Sequence, residues 1–201
     1  MSGSISDKST PRLLNVPNQL TIARLVLSAV LFALIGMEYY LAALAVFIVA
    51  AGTDWVDGYW ARKYGQVTQL GRILDPFADK IIICGAFIYL VAVPQSQIRA
   101  WMAVVVIGRE LLVTALRSFI EERGGDFSAK MSGKLKMVVQ CLAVGFSLYL
   151  LSFLQPHSTT EWASAPPPWL LSATIGLVWA SVAITVYSGA EYIVAALRIL
   201  R

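Results

Sequence analysis

Four aspartates lie within or beside two of the most apolar stretches of this 201-residue chain. Asp54 and Asp57 belong to the first stretch, and Asp75 and Asp79 belong to the second. A carboxylate in such surroundings is costly unless a cation neutralises it, so acids at these positions indicate a functional site. Oxygen-only ligands select hard divalent ions, and the residue types therefore predict a site for Mg²⁺ or Mn²⁺.

The spacing of these acids places them on helix faces, because residues three or four apart on a helix share a face. One stripe contains Asp54, Asp57, Gly58 and Ala61, and the other contains Gly71, Asp75 and Asp79. Eight residues separate Arg62 from Gly71, which predicts a short turn between two adjacent antiparallel helices. Four carboxylates then converge, and like charges so close together require a counter-cation or protonation.

Two other interpretations of the aspartates stay open. They could form a proton or ion relay in a transporter, or they could be neutralised by Arg62, Arg72 and Lys80. A transporter more often shows inverted repeats and broken helices at the membrane midplane. Cations at the edge of a membrane can extend their side chains into water. The metal site is therefore the favoured interpretation.

Long apolar segments must position these acids. Hydrophobic residues make up 58% of the chain and charged residues 14%, a composition that would give a soluble domain too much exposed apolar surface. Six runs approach the roughly 20 residues that cross a bilayer. They are Leu20–Met37, Tyr40–Thr53 continuing into the aspartate segment, Leu70–Val93, Ile98–Ile120, Val138–Leu154 and Trp169–Leu197. We expect an all-α, polytopic membrane protein with six transmembrane helices, composed of an N-terminal segment over residues 1–19 and a membrane domain over residues 20–201.

The basic residues predict how these spans are oriented. The segment Met1–Leu14 lacks the order of a cleaved signal peptide, so the first run is expected to stay as a helix. Placing both termini and the second and fourth connections in the cytoplasm leaves 15 of the 16 Lys and Arg residues there or within the membrane, with Arg99 outside. The net charge of +4 then reflects topology, and no basic run indicates a nucleic-acid partner.

A second charged group lies in the fourth predicted span. Arg109 is about 11 residues from the cytoplasmic end of that span, hence about 16 Å deep, and is expected to face a cavity rather than lipid. Arg117, Lys134 and Lys136 lie nearer the cytoplasm, and the two lysines are about 200° apart on a helix, so they cannot share one pocket. Guanidinium groups bind phosphate bidentately, which predicts a site for a phosphorylated substrate. Alternatively, Arg109 pairs with Glu110 or another acid, and Arg117 and the lysines are anchors on the cytoplasmic side.

The pattern Asp-x2-Asp-Gly-x2-Ala-Arg-x8-Gly-x3-Asp-x3-Asp, which begins at Asp54, resembles that of the CDP-alcohol phosphotransferase family at all eight fixed positions. The resemblance implies six membrane helices around a polar cavity open to the cytoplasm, usually in a homodimer. It further implies two divalent ions per active site, ligated by Asp54, Asp57 and Asp75 with a contribution from Asp79. Asp79 is also the implied general base.

The resemblance also implies where CDP-diacylglycerol binds. The implied residues are Gly58, Ala61, Arg62, Thr68 and Gly71, together with Pro17, Asn18, Gln19, Leu20 and Thr21 at the start of the first helix. Arg24 belongs to the same helix start and could touch the diphosphate. Taken alone, Thr21 is an ordinary helix-start residue and Arg24 an ordinary cation that reaches toward water.

The segments Gly108–Arg117 and Ser132–Lys136 are similar to the corresponding stretches of bacterial phosphatidylglycerolphosphate synthases. This similarity implies transfer of the phosphatidyl group from CDP-diacylglycerol to sn-glycerol 3-phosphate, with release of CMP. It also implies a multi-pass protein of the bacterial inner membrane, with both termini and the active site on the cytoplasmic side. A related enzyme acting on inositol phosphate, serine or phosphatidylglycerol stays open as an alternative, as does an ion or proton transporter.

Overall fold

Helices account for nearly all of the chain that the computed structural model describes, namely residues 16–64, 69–122, 131–154 and 165–199. The six α-helices are α1 (Val16–Gly36), α2 (Tyr40–Tyr64), α3 (Gln69–Val91), α4 (Ala100–Glu122), α5 (Met131–Ser152) and α6 (Pro168–Ile199). A single 3₁₀ turn, Pro94–Ser96, lies between α3 and α4. The predicted all-α class and helix number are confirmed.

Some helix boundaries differ from the apolar runs. α1 begins at Val16 and so includes Pro17, whose missing N–H and fixed φ suit the first turn of a helix. The predicted domain boundary at residue 20 therefore falls inside α1. α5 begins at Met131, seven residues before the predicted run, because the polar segment that contains Lys134 and Lys136 is also helical.

The turn between α1 and α2 closes with a left-handed residue that is not glycine. Glu38 has φ 65°, its N–H donates to the carbonyl of Ile35 (3.1 Å), and the N–H of Tyr39 donates to the carbonyl of Leu34 (2.9 Å). These two bonds form a Schellman motif, which satisfies carbonyls at the end of α1. Only Met37–Tyr39 separate the two helices, so α1 and α2 are antiparallel neighbours.

The connection between α3 and α4 is fastened by Ser96, which is fully buried. Its hydroxyl donates to the carbonyl of Leu90 (2.7 Å) and accepts from the N–H of Ile98 (3.2 Å). The carbonyl of Ser96 accepts from the hydroxyl of Ser147 on α5 (2.9 Å). This connection is therefore held inside the bundle by backbone and side-chain bonds, which no sequence pattern predicted.

The packing of α6 shows the direction of its neighbours. α4 runs parallel to α6, since Trp101 lies 5.6 Å from Trp179 between ring centroids and Arg109 bonds Ser188 further along both helices. α5 runs antiparallel to α6, and Gln140 donates to Thr185 across this interface. α1 packs against both α2 and α3, and α5 also contacts α2 and α3.

The bundle has two unlike halves. The half that holds the α1–α2 turn and the 3₁₀ turn, here called the apolar half, contains one continuous core to which every helix contributes. Its members include Leu31, Phe47, Phe87, Met102, Leu148 and Val178. Phe32 stacks on Tyr89 at 5.1 Å, and its ring fills the space beside Gly85 where a side chain would otherwise lie.

The opposite half, here called the polar half, is where α1, α3 and α5 begin and α2, α4 and α6 end. Among the side chains that the structure describes, the buried polar ones in this half are Thr21, Arg24 and Ser28 on α1, Arg109 and Glu110 on α4, Lys136 and Gln140 on α5, and Ser181, Thr185 and Ser188 on α6. α2 ends and α3 begins in this same half, so the aspartate-containing segments of both helices belong to it.

Two helical segments of the described chain are long and apolar enough to cross a membrane, Leu135–Ser152 and Pro168–Arg198. Shorter apolar segments occur in α1, α2 and α3, over Thr21–Gly36, Tyr40–Gly52 and Lys80–Val91. The outer surface also carries large exposed apolar side chains, such as Val104 and Leu111 on α4. A surface of this kind is typical of a protein that lies in lipid.

Candidate functional site

The aspartate motif spans the end of α2 and the start of α3. Asp54 and Asp57 are helical residues of α2, and Asp75 and Asp79 are helical residues of α3, so the predicted spacing by one helical turn holds for both pairs. Positions 65–68 alone separate the helices, which limits the distance between Tyr64 and Gln69 to roughly 18 Å. The side chains of all four aspartates lie outside the described part of the structure, and their role as ligands stays a prediction.

Most of the predicted CDP-binding residues also have side chains that lie outside the described part of the structure. Thr68 lies outside the described residues, and the side chains of Pro17, Asn18, Leu20, Gly58, Ala61, Arg62 and Gly71 are likewise not described. Gln19 is exposed, whereas Thr21 and Arg24 are buried on α1. Arg24 is only 4% exposed, so its side chain lies inside the bundle and does not reach toward surrounding water.

Arg109, Glu110 and Lys136 form a buried cluster between α4 and α5. Nη1 of Arg109 lies 3.3 Å from Oε1 of Glu110, and Nζ of Lys136 bonds the same carboxylate oxygen. Arg109 and Glu110 are each 9% exposed and Lys136 is 6% exposed. Lys136 thus reaches this cluster, while the side chain of Lys134 lies outside the described part.

Arg117 is half-buried and lies two helical turns beyond Arg109, about 12 Å along α4. In the part of the chain that the structure describes, no hydrogen bond or ion pair joins Arg117 to Glu110 or Lys136. Among the described side chains, the structure therefore brings together two of the predicted phosphate-binding residues, Arg109 and Lys136. It also contains the ion pair between Arg109 and Glu110 that the alternative interpretation predicts.

α6 supplies three residues to this cluster that sequence reasoning did not identify. Nη2 of Arg109 donates to the hydroxyl of Ser188, and the guanidinium carbon lies 5.3 Å from the centroid of the Tyr192 ring. Between them, Gly189 lets the stem of Arg109 approach, since a Cβ built there would lie 3.1 Å from Cγ of Arg109. A planar cation between a hydroxyl and an aromatic face is held in position as well as partly neutralised.

The periodicity of α6 contained a signal for Ser188. Its polar residues Thr174, Ser181, Thr185 and Ser188 recur at intervals of seven, four and three, so they share one face of an otherwise apolar helix. All four are fully buried. Thr185 accepts from Nε2 of Gln140 at 2.9 Å, one turn from Lys136 on α5, so this contact fixes α5 against α6 beside the charged cluster.

An apolar cavity of about 620 Å³, open to the outer surface, lies between α2 and α5. Its lining includes Leu44, Phe47, Ile48, Gly52, Val138 and Tyr149. Gly52 lies two residues before Asp54, so one end of the cavity meets the aspartate segment. The structure thus places an apolar space next to the helix ends that carry the predicted metal ligands.

Comparisons with known proteins agree with the aspartate motif. The chain is 37% identical over 193 residues to the CDP-diacylglycerol–glycerol-3-phosphate 3-phosphatidyltransferase of Bacillus subtilis (strain 168). This match covers 89% of this chain and 93% of the relative. The chain is 32% identical over 191 residues to the protein of the same name from Escherichia coli (strain K12), covering 90% and 94% of the two chains.

A solved structure shares the fold. The phosphatidylinositol phosphate synthase of Mycobacterium tuberculosis, crystallised with manganese and citrate, superposes with a TM-score of 0.54 at 21% identity and covers 90% of this chain and 83% of that one. The model of the CDP-alcohol phosphatidyltransferase family matches residues 14–187, which contain the aspartate motif and all six helix starts. The chain therefore belongs to the CDP-alcohol phosphatidyltransferase family.

Proposed function

We propose that this protein transfers the phosphatidyl group of CDP-diacylglycerol to the 1-hydroxyl of sn-glycerol 3-phosphate, giving phosphatidylglycerol phosphate and CMP. The observation that carries this proposal is that relatives named for this activity match the chain over about nine-tenths of both sequences. The buried Arg109–Glu110–Lys136 cluster supports a phosphorylated acceptor, because cations at this depth suit an anionic partner.

The donor set fits divalent metal ions. Four carboxylates on two consecutive helix ends offer only oxygen ligands, as Mg²⁺ and Mn²⁺ prefer. Asp54, Asp57, Asp75 and Asp79 are the residues that would hold the ions, two per active site. When bound, the ions would polarise the diphosphate and offset the negative charge that develops on the leaving CMP.

The reaction itself requires one proton acceptor. The hydroxyl oxygen of the acceptor attacks the phosphorus that carries the diacylglycerol, the bond from that phosphorus to the oxygen of CMP breaks, and the hydroxyl proton passes to Asp79. A carboxylate within hydrogen-bond reach of the attacking hydroxyl is suited to this role. Asp79 lies ten residues into α3, about 15 Å from its start, which places it deep in the polar half.

The lipid donor has an apolar and a polar part, and the structure offers a place for each. We assign the acyl chains to the α2–α5 cavity, because it is apolar, of suitable volume and continuous with the aspartate segment at Gly52. Thr21 and Arg24, buried on α1 where it packs against α2 and α3, would face the diphosphate. The remaining predicted CDP ligands keep the roles that the family resemblance implies.

The acceptor site is proposed for the α4–α5–α6 side of the polar half, where Arg109 and Lys136 meet. Arg117, further along α4, would lie on the path from the cytoplasm to this site, and Lys134 would lie at its rim. Donor and acceptor phosphates would then approach from opposite sides of the aspartate segment. This arrangement is what an in-line displacement requires.

We further propose that all six helices span the bacterial inner membrane, with the polar half and both termini on the cytoplasmic side, and that the protein is a homodimer. The alternating chain directions of α4, α5 and α6 support this topology, as does the distribution of Lys and Arg. Charged residues within α2, α3 and α4 make these helices less apolar than α5 and α6, and under this proposal they line the polar, cytoplasm-facing cavity that the family resemblance implies.

The test is CMP release by the purified full-length chain with CDP-diacylglycerol and a panel of acceptors, namely sn-glycerol 3-phosphate, inositol phosphate, serine and phosphatidylglycerol. We expect turnover with sn-glycerol 3-phosphate that stops when a chelator removes divalent ions and returns when Mg²⁺ or Mn²⁺ is added. Preferential turnover with another acceptor would assign the protein to a related activity. Ion flux into vesicles without CMP release would instead support a transporter.

A further inference from the structure

Three hydroxyl residues of α6 use their protons within the helix. The hydroxyl of Thr174 donates to the carbonyl of Leu170 (2.8 Å), that of Ser181 to the carbonyl of Val178 (2.7 Å), and that of Thr185 to the carbonyl of Ser181 (2.6 Å). Such bonds to the preceding turn are the usual arrangement for Ser and Thr in apolar helices.

Ser188 differs from these three. It is 0% exposed, and its oxygen accepts a hydrogen bond from Nη2 of Arg109. Among the residues that the structure describes, none accepts the proton of this hydroxyl. A buried hydroxyl that both accepts and could still donate is expected to meet a further oxygen atom.

Arg109 provides a second donor of the same kind. Its Nε is buried and has no hydrogen-bond partner within the described ranges, whereas Nη1 bonds Glu110 and Nη2 bonds Ser188. Nε and Nη2 lie on the same edge of the guanidinium, so the unused N–H points along the edge that Ser188 occupies. Two buried donors for which the described residues offer no acceptor therefore lie side by side.

We propose that Ser188 is a substrate-binding residue, and that its hydroxyl and the Nε–H of Arg109 together bind one oxyanion. This proposal rests on the proposed function, under which the oxyanion belongs to the phosphate of sn-glycerol 3-phosphate. The cluster lies on α4, α5 and α6, whereas the buried polar residues that accompany the aspartate helices lie on α1, which favours the acceptor phosphate over the donor diphosphate. Gly189 and Tyr192 are positioning residues for Arg109.

The experiment compares Ser188→Ala with Ser181→Ala in the purified full-length protein. Both serines are 0% exposed on α6, but the proton of Ser181 is already bound by a backbone carbonyl. Initial rates of CMP release are measured with one substrate varied and the other saturating. We expect Ser188→Ala to raise the KM for sn-glycerol 3-phosphate by about tenfold or more, since hydrogen bonds to charged groups are the stronger ones. The KM for CDP-diacylglycerol should stay within about twofold, and Ser181→Ala should change neither value.

A double variant separates binding from support of the fold. If Ser188 and Arg109 hold the same oxyanion, Ser188→Ala should raise the acceptor KM much less in an Arg109→Lys background than in the wild type. The inference is overturned if Ser188→Ala behaves as Ser181→Ala does, or if it raises both KM values equally. An assignment to the donor diphosphate follows if only the KM for CDP-diacylglycerol rises. A wild-type protein that releases no CMP with sn-glycerol 3-phosphate would instead overturn the proposed function.

Discussion

Replacing Gly189 with alanine should weaken acceptor binding without weakening the fold. An alanine Cβ at this position would lie 3.1 Å from Cγ of Arg109, whereas ordinary contacts begin at 3.4 Å. The stem of Arg109 must therefore move by about 0.3 Å or more. Misplacing a binding group by about 1 Å can cost about a hundredfold, so a shift of this size should cost about fourfold in the acceptor KM.

Gly189→Ala should leave the stability of the fold unchanged or increase it. Alanine is favoured over glycine inside a helix by up to about 1 kcal/mol, so the thermal midpoint of Gly189→Ala should equal or exceed that of the wild type. Gly176→Ala is the matched control, because it lies on the same helix and its added Cβ would meet nothing within 4 Å. It should gain the same stability and leave both KM values unchanged.

The assay is CMP release at varied sn-glycerol 3-phosphate, combined with thermal unfolding of each variant in the same detergent or nanodisc. An acceptor KM that is the same in Gly189→Ala and Gly176→Ala would refute the argument that α6 positions Arg109. A large fall in the thermal midpoint of Gly189→Ala alone would show that the clash is relieved by moving helices rather than by moving the side chain.

Three further predictions concern the fold and the proposed base. Gly85→Ala should lower the free energy of unfolding by about 1–3 kcal/mol, because the new Cβ would lie 2.1 Å from the ring of Phe32; an unchanged thermal midpoint would contradict this packing. Ser147→Ala should cost about 1 kcal/mol by removing the bond to the Ser96 carbonyl, with no change in either KM, and a selective change in one KM would show that this connection affects the site. Asp79→Asn should abolish turnover while CDP-diacylglycerol binding survives in part, and turnover at the wild-type rate would reject Asp79 as the base.

The helices could be predicted from sequence because each contains a long and mainly apolar run. Two features could not. The early start of α5 was missed because Lys134 and Lys136 interrupt the apolar pattern, although lysine is a good helix former. The Schellman turn at Glu38 was missed because its left-handed residue is usually glycine, and glutamate carries no such signal.

The site was predictable to the extent that one helix alone determines it. The depth of Arg109 along its span indicated an inward-facing side chain, and burial of Arg109 agrees with that expectation. Helical geometry also showed that only one of Lys134 and Lys136 could enter the pocket, but it could not say which. That choice depends on where Glu110 lies on a different helix, which spacing along α5 does not encode.

The contribution of α6 was harder to predict for a physical reason. α4 and α6 are separated by α5 in the chain, and their parallel packing brings Arg109 against Ser188, 79 positions later. A buried cation becomes tolerable only through several partners at once, and those of Arg109 come from two helices: Glu110 on α4, and Ser188 with Tyr192 on α6. Lys136 on α5 bonds the same carboxylate of Glu110, so a third helix also takes part in the cluster. The position of the guanidinium is therefore a property of the assembled bundle. Any change that moves α6 relative to α4 should therefore affect the proposed acceptor site, because Arg109 on α4 contacts Ser188 and Tyr192 on α6.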